Sequence, residues 1–131
     1  MTAPTYTNIH HVALTVSDAD ASAAWYCDLL GLSEVLRGDD EGVSFRVLAG
    51  SGVVIGVRQY PAHPADRFSE FRTGLDHLAI GVPTRAELEA WQARLEERDV
   101  VFSPIAETPI GSVIVFRDPD GIQLEFWLPA A

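Results

Sequence analysis

The chain contains no lysine; all nine of its basic residues are arginines. A Schiff-base mechanism through a lysine amine is therefore excluded. Cysteine is nearly absent too. Cys27 stands alone, so there is no internal disulfide and no zinc–thiolate cluster. Cys27 falls on an expected helix, where a buried, inert thiol is the expected state. Positive charge is scarce against 19 acidic residues, which leaves a net charge of −10 and a pI near 4.6. Such a balance argues against a basic surface for nucleic acid or anionic membrane. No apolar run reaches membrane-spanning length, and the opening "MTAPTYTNIHH" lacks the charged-then-apolar pattern of a leader. The expected compartment is the cytoplasm.

What is present suits a small folded domain. With 131 residues, 47% of them hydrophobic, the chain can build one core, or two small repeated modules. Internal similarity supports the modules. "HVALTV" (11–16) resembles "HLAIGV" (77–82), an offset of 77 − 11 = 66. Each is followed by a helical pattern. "SDADASAAWYCDLLG" opens on the N-cap candidates Ser17 and Asp18 and closes on Gly31. "PTRAELEAWQARLEERD" opens on Thr84, with Glu87 placed to complete a capping box. Apolar residues recur at helical spacing in both: Trp25, Leu29 and Leu30, then Leu88, Trp91 and Leu95.

Three strand-like runs follow each helix, at 33–39, 42–49 and 52–59, then at 100–107, 110–117 and 122–128. "DPDG" (118–121) reads as a type I turn between the last two. Each half is thus β-α-β-β-β, as a module over 9–59 and a module over 74–128. The linker between them, 60–73, is rich in proline and polar residues, with one helical turn expected near Phe68 and Phe71.

Side-chain alternation separates the strand faces. Ile122, Leu124, Phe126 and Leu128 oppose Gln123, Glu125 and Trp127. His11 and His77 begin the same strand of each repeat, opposite Val12 and Leu78. The apolar faces would pack on the helices and leave a small, polar face for a ligand. A pseudo-twofold arrangement would bring His11, His77 and Glu125 together, with Gly56 at the fourth corner. Two imidazoles and a carboxylate form a facial-triad metal set with open positions. Taken singly, each has a plainer reading: a hydrogen-bonded strand histidine or a glutamate on a solvated strand face. The matched positions of His11 and His77 favour the ligand reading, as does the penalty for burying an uncompensated Glu125. His10 has the opposite parity and reads as a surface or hydrogen-bonding residue. His63 and Tyr60, in and beside the linker, are solvated residues or an acid/base at the cup.

At "HHVALTVSDADASAAWYCDLLGL", "GLDHLAIGVP" and "VFRDPDGIQLEFW" the sequence resembles the vicinal oxygen chelate superfamily, which includes glyoxalase I, bleomycin-resistance proteins, extradiol dioxygenases and methylmalonyl-CoA epimerase. The resemblance covers nearly the whole chain. It implies an α+β fold in which two paired βαβββ modules form an incomplete eight-stranded barrel-like cup, helices outside, around a metal. His11, His77 and Glu125 match the family's ligand positions. The fourth position, a carboxylate in typical glyoxalase I, is Gly56, which has no side chain to bind a metal or remove a proton. The resemblance implies one divalent ion (Fe, Mn, Ni, Zn or Mg) and a metal-dependent lyase/isomerase or dioxygenase. Its substrate would be a small molecule with vicinal oxygens chelated to the metal. Glu125, His63 and Tyr60 are the catalytic candidates. Phe45, Val54, Arg58, Gln123 and Trp127 are the substrate-binding candidates, with Arg58 able to pair with an anionic group. A homodimer is expected. The alternative is a non-catalytic protein that sequesters an antibiotic or metabolite, as bleomycin-resistance proteins do.

Overall fold

The computed structural model describes residues 2–61 and 66–131. The chain divides into two compact units, Met1–Pro64 and Ala65–Ala131. The first unit runs β1 (Val12–Thr15), α1 (Ala19–Leu30), β2 (Ser33–Asp40), β3 (Val43–Gly50) and β4 (Val53–Gln59). The second runs β5 (Leu78–Gly81), α2 (Arg85–Glu97), β6 (Ala106–Thr108), β7 (Gly111–Arg117) and β8 (Gln123–Pro129). Both are βαβββ modules, as the repeat implies. Their four-stranded sheets have the orders β1-β4-β3-β2 and β5-β8-β7-β6 and are not closed into a barrel. In each, the first strand lies parallel to the last and the other pairs are antiparallel. No helix is long and apolar enough to cross a membrane among the described residues.

The helices begin where their caps place them. Asp18 accepts from the Ala21 amide at 3.0 Å, and Gly31 closes α1 in the left-handed region at φ 69°. Gln59 accepts from a further first-turn amide, Ala19 N–H, at 2.9 Å. That bond fixes Gln59 as a helix partner. Thr84 accepts from the Glu87 amide at 3.1 Å and caps α2. Thr84→Ala should lower stability by about 1 kcal/mol, read from the denaturation midpoint.

Ala19, Ser22, Ala23, Tyr26 and Leu29 form the buried stripe of α1. Against it the first sheet sets Leu14, Leu48, Ile55 and Val57. In the second unit Leu88 and Leu95 of α2 are buried, as are Ile114, Phe116, Leu124 and Phe126 of its sheet. Arg46 is also buried on β3. Its Nε donates to Asp20 at 3.0 Å, and its Nη1 donates to the carbonyls of Phe45 and Gly38 at 2.8 and 3.2 Å. Cys27 is half-buried, and burial, with a contribution from Glu34, pushes its thiol pKa up, in keeping with an inert thiol.

Register in the first sheet is set by two-residue hairpins. Glu41–Gly42 and Ser51–Gly52 all have positive φ (52°, 81°, 52° and 82°), the pattern of type I′ turns. They place Phe45 opposite Arg58, and Gly38 opposite Phe45.

Two expectations need correction. The strand expected over 100–107 is only Ala106–Thr108, preceded by an isolated bridge from Phe102 to Phe116. Pro104 has no amide to give a ladder. Ser103 replaces the lost pairing by accepting from Val115 N–H with its hydroxyl at 3.0 Å and donating its own amide to the Val115 carbonyl at 2.9 Å. The helical turn expected near Phe68 and Phe71 is instead a β-turn over residues 69–72, closed from Arg72 N–H to the Ser69 carbonyl at 3.3 Å.

Candidate functional site

The second unit gathers two of the expected ligands. His77 immediately precedes β5, and Glu125 lies on the neighbouring strand β8, opposite Ala79. Leu124 and Phe126, on either side of Glu125, are fully buried, so alternation turns Glu125 to the other face of the sheet. There its carboxylate Oε1 lies 3.4 Å from His77 Nε2, with side chains 12% and 41% exposed respectively.

The other imidazole nitrogen is already held. Asp76 Oδ1 sits 2.6 Å from His77 Nδ1. A carboxylate only accepts, so Nδ1 carries the proton. In the neutral ring Nε2 presents a lone pair to the Glu125 carboxylate oxygen, and in the imidazolium it donates to that oxygen. In the neutral state two acceptors face one another, and a cation between them, a proton or a metal ion, relieves that arrangement. Their separation is short enough for both to reach one divalent ion at bond lengths of about 2.1 Å. The donor set thus fits a metal, with Asp76 supplying the outer hydrogen bond that orients a ligating histidine.

Asp76 is held in turn. Gln123 Nε2 donates to its Oδ1 at 3.2 Å and its carbonyl at 3.3 Å. Arg117 Nη2 donates to Gln123 Oε1 at 3.0 Å and to Glu70, while Nη1 donates to the Gly121 carbonyl at 3.0 Å. The Arg117 hydrogen bond holds the Glu70 carboxyl below its usual range. The connected row runs Glu70, Arg117, Gln123, Asp76, His77, Glu125. The turn beneath it is locked by Asp118, which accepts from the amides of Asp120 and Ile122 at 2.9 and 2.8 Å. Trp127 is half-buried on the Glu125 face, between Gly81 and Val113.

In the first unit, His11 precedes β1 and is exposed. Its Nδ1 lies 2.8 Å from Nδ1 of His10, the rings meeting edge-on with centroids 5.0 Å apart. His10 is therefore a hydrogen-bonding neighbour of His11. The repeat offset carries His10 onto Asp76, since 10 + 66 = 76. In both repeats Nδ1 of the histidine before the strand meets the side chain of the residue that precedes it, His10 or Asp76. The sequence reading missed Asp76, although that offset marked it.

Gly56 is buried between Ala13 and Val47, and a Cβ there would meet only ordinary contacts, the nearest 3.6 Å away at Ala13 Cβ. Gly56 has no side chain that could hold a metal. Val54 is half-buried opposite Ala49. Phe45, Arg58 and Tyr60 come together on the Gly56 face. The Arg58 guanidinium carbon lies 5.5 Å from the Phe45 ring centre and 5.8 Å from that of Tyr60, and its Nε donates to the Tyr60 hydroxyl at 3.2 Å. His63 lies outside the described residues. Among the described residues, no group of three or more His, Cys, Asp or Glu side chains is gathered as a metal site.

The sequence has relatives along its length. The uncharacterized protein YaeR of Escherichia coli (strain K12) is 32% identical over 124 residues, covering 91% of this chain and 94% of YaeR. Catechol-2,3-dioxygenase of Bacillus subtilis (strain 168) is 27% identical over 121 residues, covering 92% of this chain but 41% of the dioxygenase. Among solved structures, the glyoxylase/bleomycin resistance protein/dioxygenase domain from Frankia sp. EAN1pec superimposes with a TM-score of 0.90 at 35% identity, covering 96% of this chain and 94% of that one. The fosfomycin resistance protein FosX from Listeria monocytogenes shares the fold, with a TM-score of 0.75 at 17% identity over 96% of both chains. Residues 8–126 match the Glyoxalase/Bleomycin resistance protein/Dioxygenase superfamily, and the chain belongs to it.

Proposed function

We propose that the protein is a divalent-metal-dependent enzyme of glyoxalase or dioxygenase type. It acts on a small substrate whose adjacent oxygens are chelated to the ion. The observation that carries this reading is the His77 Nε2–Glu125 Oε1 pair at 3.4 Å, with Nδ1 anchored by Asp76. His77 and Glu125 are two of the proposed ligands, and His11 is the third. The lack of a donor at Gly56 leaves a three-ligand set with positions for substrate. The FosX fold neighbour was crystallised with Mn(II) and 1S,2S-dihydroxypropylphosphonic acid, a compound with vicinal oxygens, which supports the same use of this fold.

A bound divalent ion supplies Lewis-acid stabilisation of enolate- or catecholate-like charge, worth roughly several kcal/mol. The protein's own residues do the rest. Asp76 fixes the His77 tautomer. The Tyr60 hydroxyl, positioned by Arg58 Nε, is a proposed site of proton transfer, as are His63 and the carboxylate of Glu125. Phe45, Val54 and Trp127 shape the substrate space and exclude water. Gln123 acts through Asp76. A homodimer is proposed for the assembly.

Elemental analysis after stripping and reloading with Fe(II), Mn(II), Ni(II) or Zn(II) tests the reading. Roughly one ion per chain is expected, and the preferred ion directs the substrate screen. No specific binding of any ion, with retained affinity for an aromatic or cationic ligand, would point to sequestration instead. A second result is expected of Asp76→Ala. Metal affinity should fall roughly 10–100-fold, because the ligating ring loses its orienting partner. The apo protein should report the same event in the 15N spectrum of His77, as a shift away from the Nδ1–H tautomer. An unchanged tautomer and unchanged affinity would reduce Asp76 to a surface acid.

A further inference from the structure

We infer that Arg58, which lies against the Phe45 and Tyr60 rings, is the seat for a carboxylate or phosphate oxyanion on the substrate. The seat deepens the proposed function by naming a substrate class, but it stands on observations confined to the first unit. Arg37, Arg46, Arg72, Arg85 and Arg117 each meet a carboxylate. Arg58 meets none among the described residues, in a chain with 19 acidic side chains and a net charge of −10. Arg67 too meets no carboxylate among the described residues, but of the described arginines Arg58 is the one that lies over two aromatic rings.

Its geometry is prepared for a ligand. Arg58 and Phe45 are cross-strand partners, and Gly38 is the next residue in the row. Gly38 makes room for the ring, since a Cβ there would come within 2.5 Å of Phe45 Cε1. Tyr60, two residues on, turns to the same side, and its hydroxyl oxygen accepts a hydrogen bond from Arg58 Nε–H. Among the described residues both Nη groups are left as donors. A guanidinium offers a planar fork that matches two oxygens of a carboxylate or phosphate. Aromatic faces on the cation hold it without neutralising it. Thr15, opposite Arg58 on β1, is exposed and adds a hydroxyl to the same row. A solvated arginine would need neither ring nor the glycine that admits one of them.

The test uses full-length, chelator-treated protein, so it is independent of the metal. Inorganic phosphate and acetate are titrated separately at constant ionic strength, by calorimetry and by following the Arg58 Nε–H resonance. Saturable binding of at least one is expected, and the tighter of the two names the anion class. Arg58→Met should weaken it roughly 10–100-fold, the loss of a charge-assisted hydrogen-bond pair. Arg58→Lys keeps the charge but gives up the fork, and should fall between. His77→Ala should bind the anion as wild type does, which separates this seat from the metal reading. No saturation by either anion and a stationary Arg58 resonance would overturn the proposal, as would equal affinity in Arg58→Met.

Discussion

Replacing Glu125 by glutamine is expected to abolish tight divalent-metal binding while leaving the protein folded. Glutamine keeps the shape of the side chain and removes its charge. The loss should exceed the roughly 10–100-fold that removal of an outer hydrogen-bond partner produces, because an anionic ligand itself is gone. The apo protein should respond in the opposite sense. Glu125 Oε1 and His77 Nε2 are two acceptors 3.4 Å apart when the ring is neutral with its proton on Nδ1. A glutamine amide can donate to Nε2, so Glu125→Gln should match or slightly exceed wild type in apo stability. Calorimetric metal titration and urea denaturation of the same samples give both numbers. Unchanged metal affinity would leave the pair as an ordinary ion pair of a protonated His77. A joint loss of affinity and stability would make Glu125 a folding residue first.

The approach of His77 to Glu125 is legible in the sequence, for reasons that can be named. Glu125 sits between two apolar residues in a period-2 pattern, and a buried face requires that alternation to hold. The two histidines stand out because a repeat places them at the same point. Asp18, Gly31 and Thr84 marked the helix ends through hydrogen bonds local in sequence. What escaped depends on contacts between residues far apart. The Glu70–Arg117 and Gln123–Asp76 contacts each span 47 residues, and no spacing rule predicts them. Gln123 therefore looked like a substrate contact, whereas its amide holds Asp76.

The Arg58 stack is an intermediate case. Its ingredients are two glycine-containing loops of two residues, Glu41–Gly42 and Ser51–Gly52, which fix the register that pairs Gly38, Phe45 and Arg58. Hairpin chemistry makes that register derivable from sequence. The placement of a ring over a glycine does not follow from the register alone, because it depends on the rotamers chosen. Pro104 shows the reverse: a strand pattern was read through a residue that has no amide to give, and the true strand starts two residues later.

The second large effect belongs to the opposite face of the same strand. Phe126→Ala should destabilise the protein by about 3–5 kcal/mol, at the level of the largest single core truncations. Phe126 is fully buried and stacks on two rings: Trp91 of α2, with centroids 4.6 Å apart at 19°, and Phe116 of β7, 4.9 Å apart at 22°. Removing it leaves a void that both neighbours line and that neither the helix nor the sheet can close without moving. With a urea slope of about 2 kcal/mol per molar, the midpoint should fall by roughly 2 M. The consequence reaches the site because Phe126 anchors β8 against α2 while its neighbour Glu125 faces His77. A loosened strand widens the spread of Glu125 positions, so metal affinity in the still-folded fraction should fall, though less than in Glu125→Gln. Phe126→Leu, which refills most of the volume, should recover most of both losses. If Phe126→Ala lowers stability by this amount and leaves metal affinity untouched, the packing under β8 supports the fold without setting the ligand geometry.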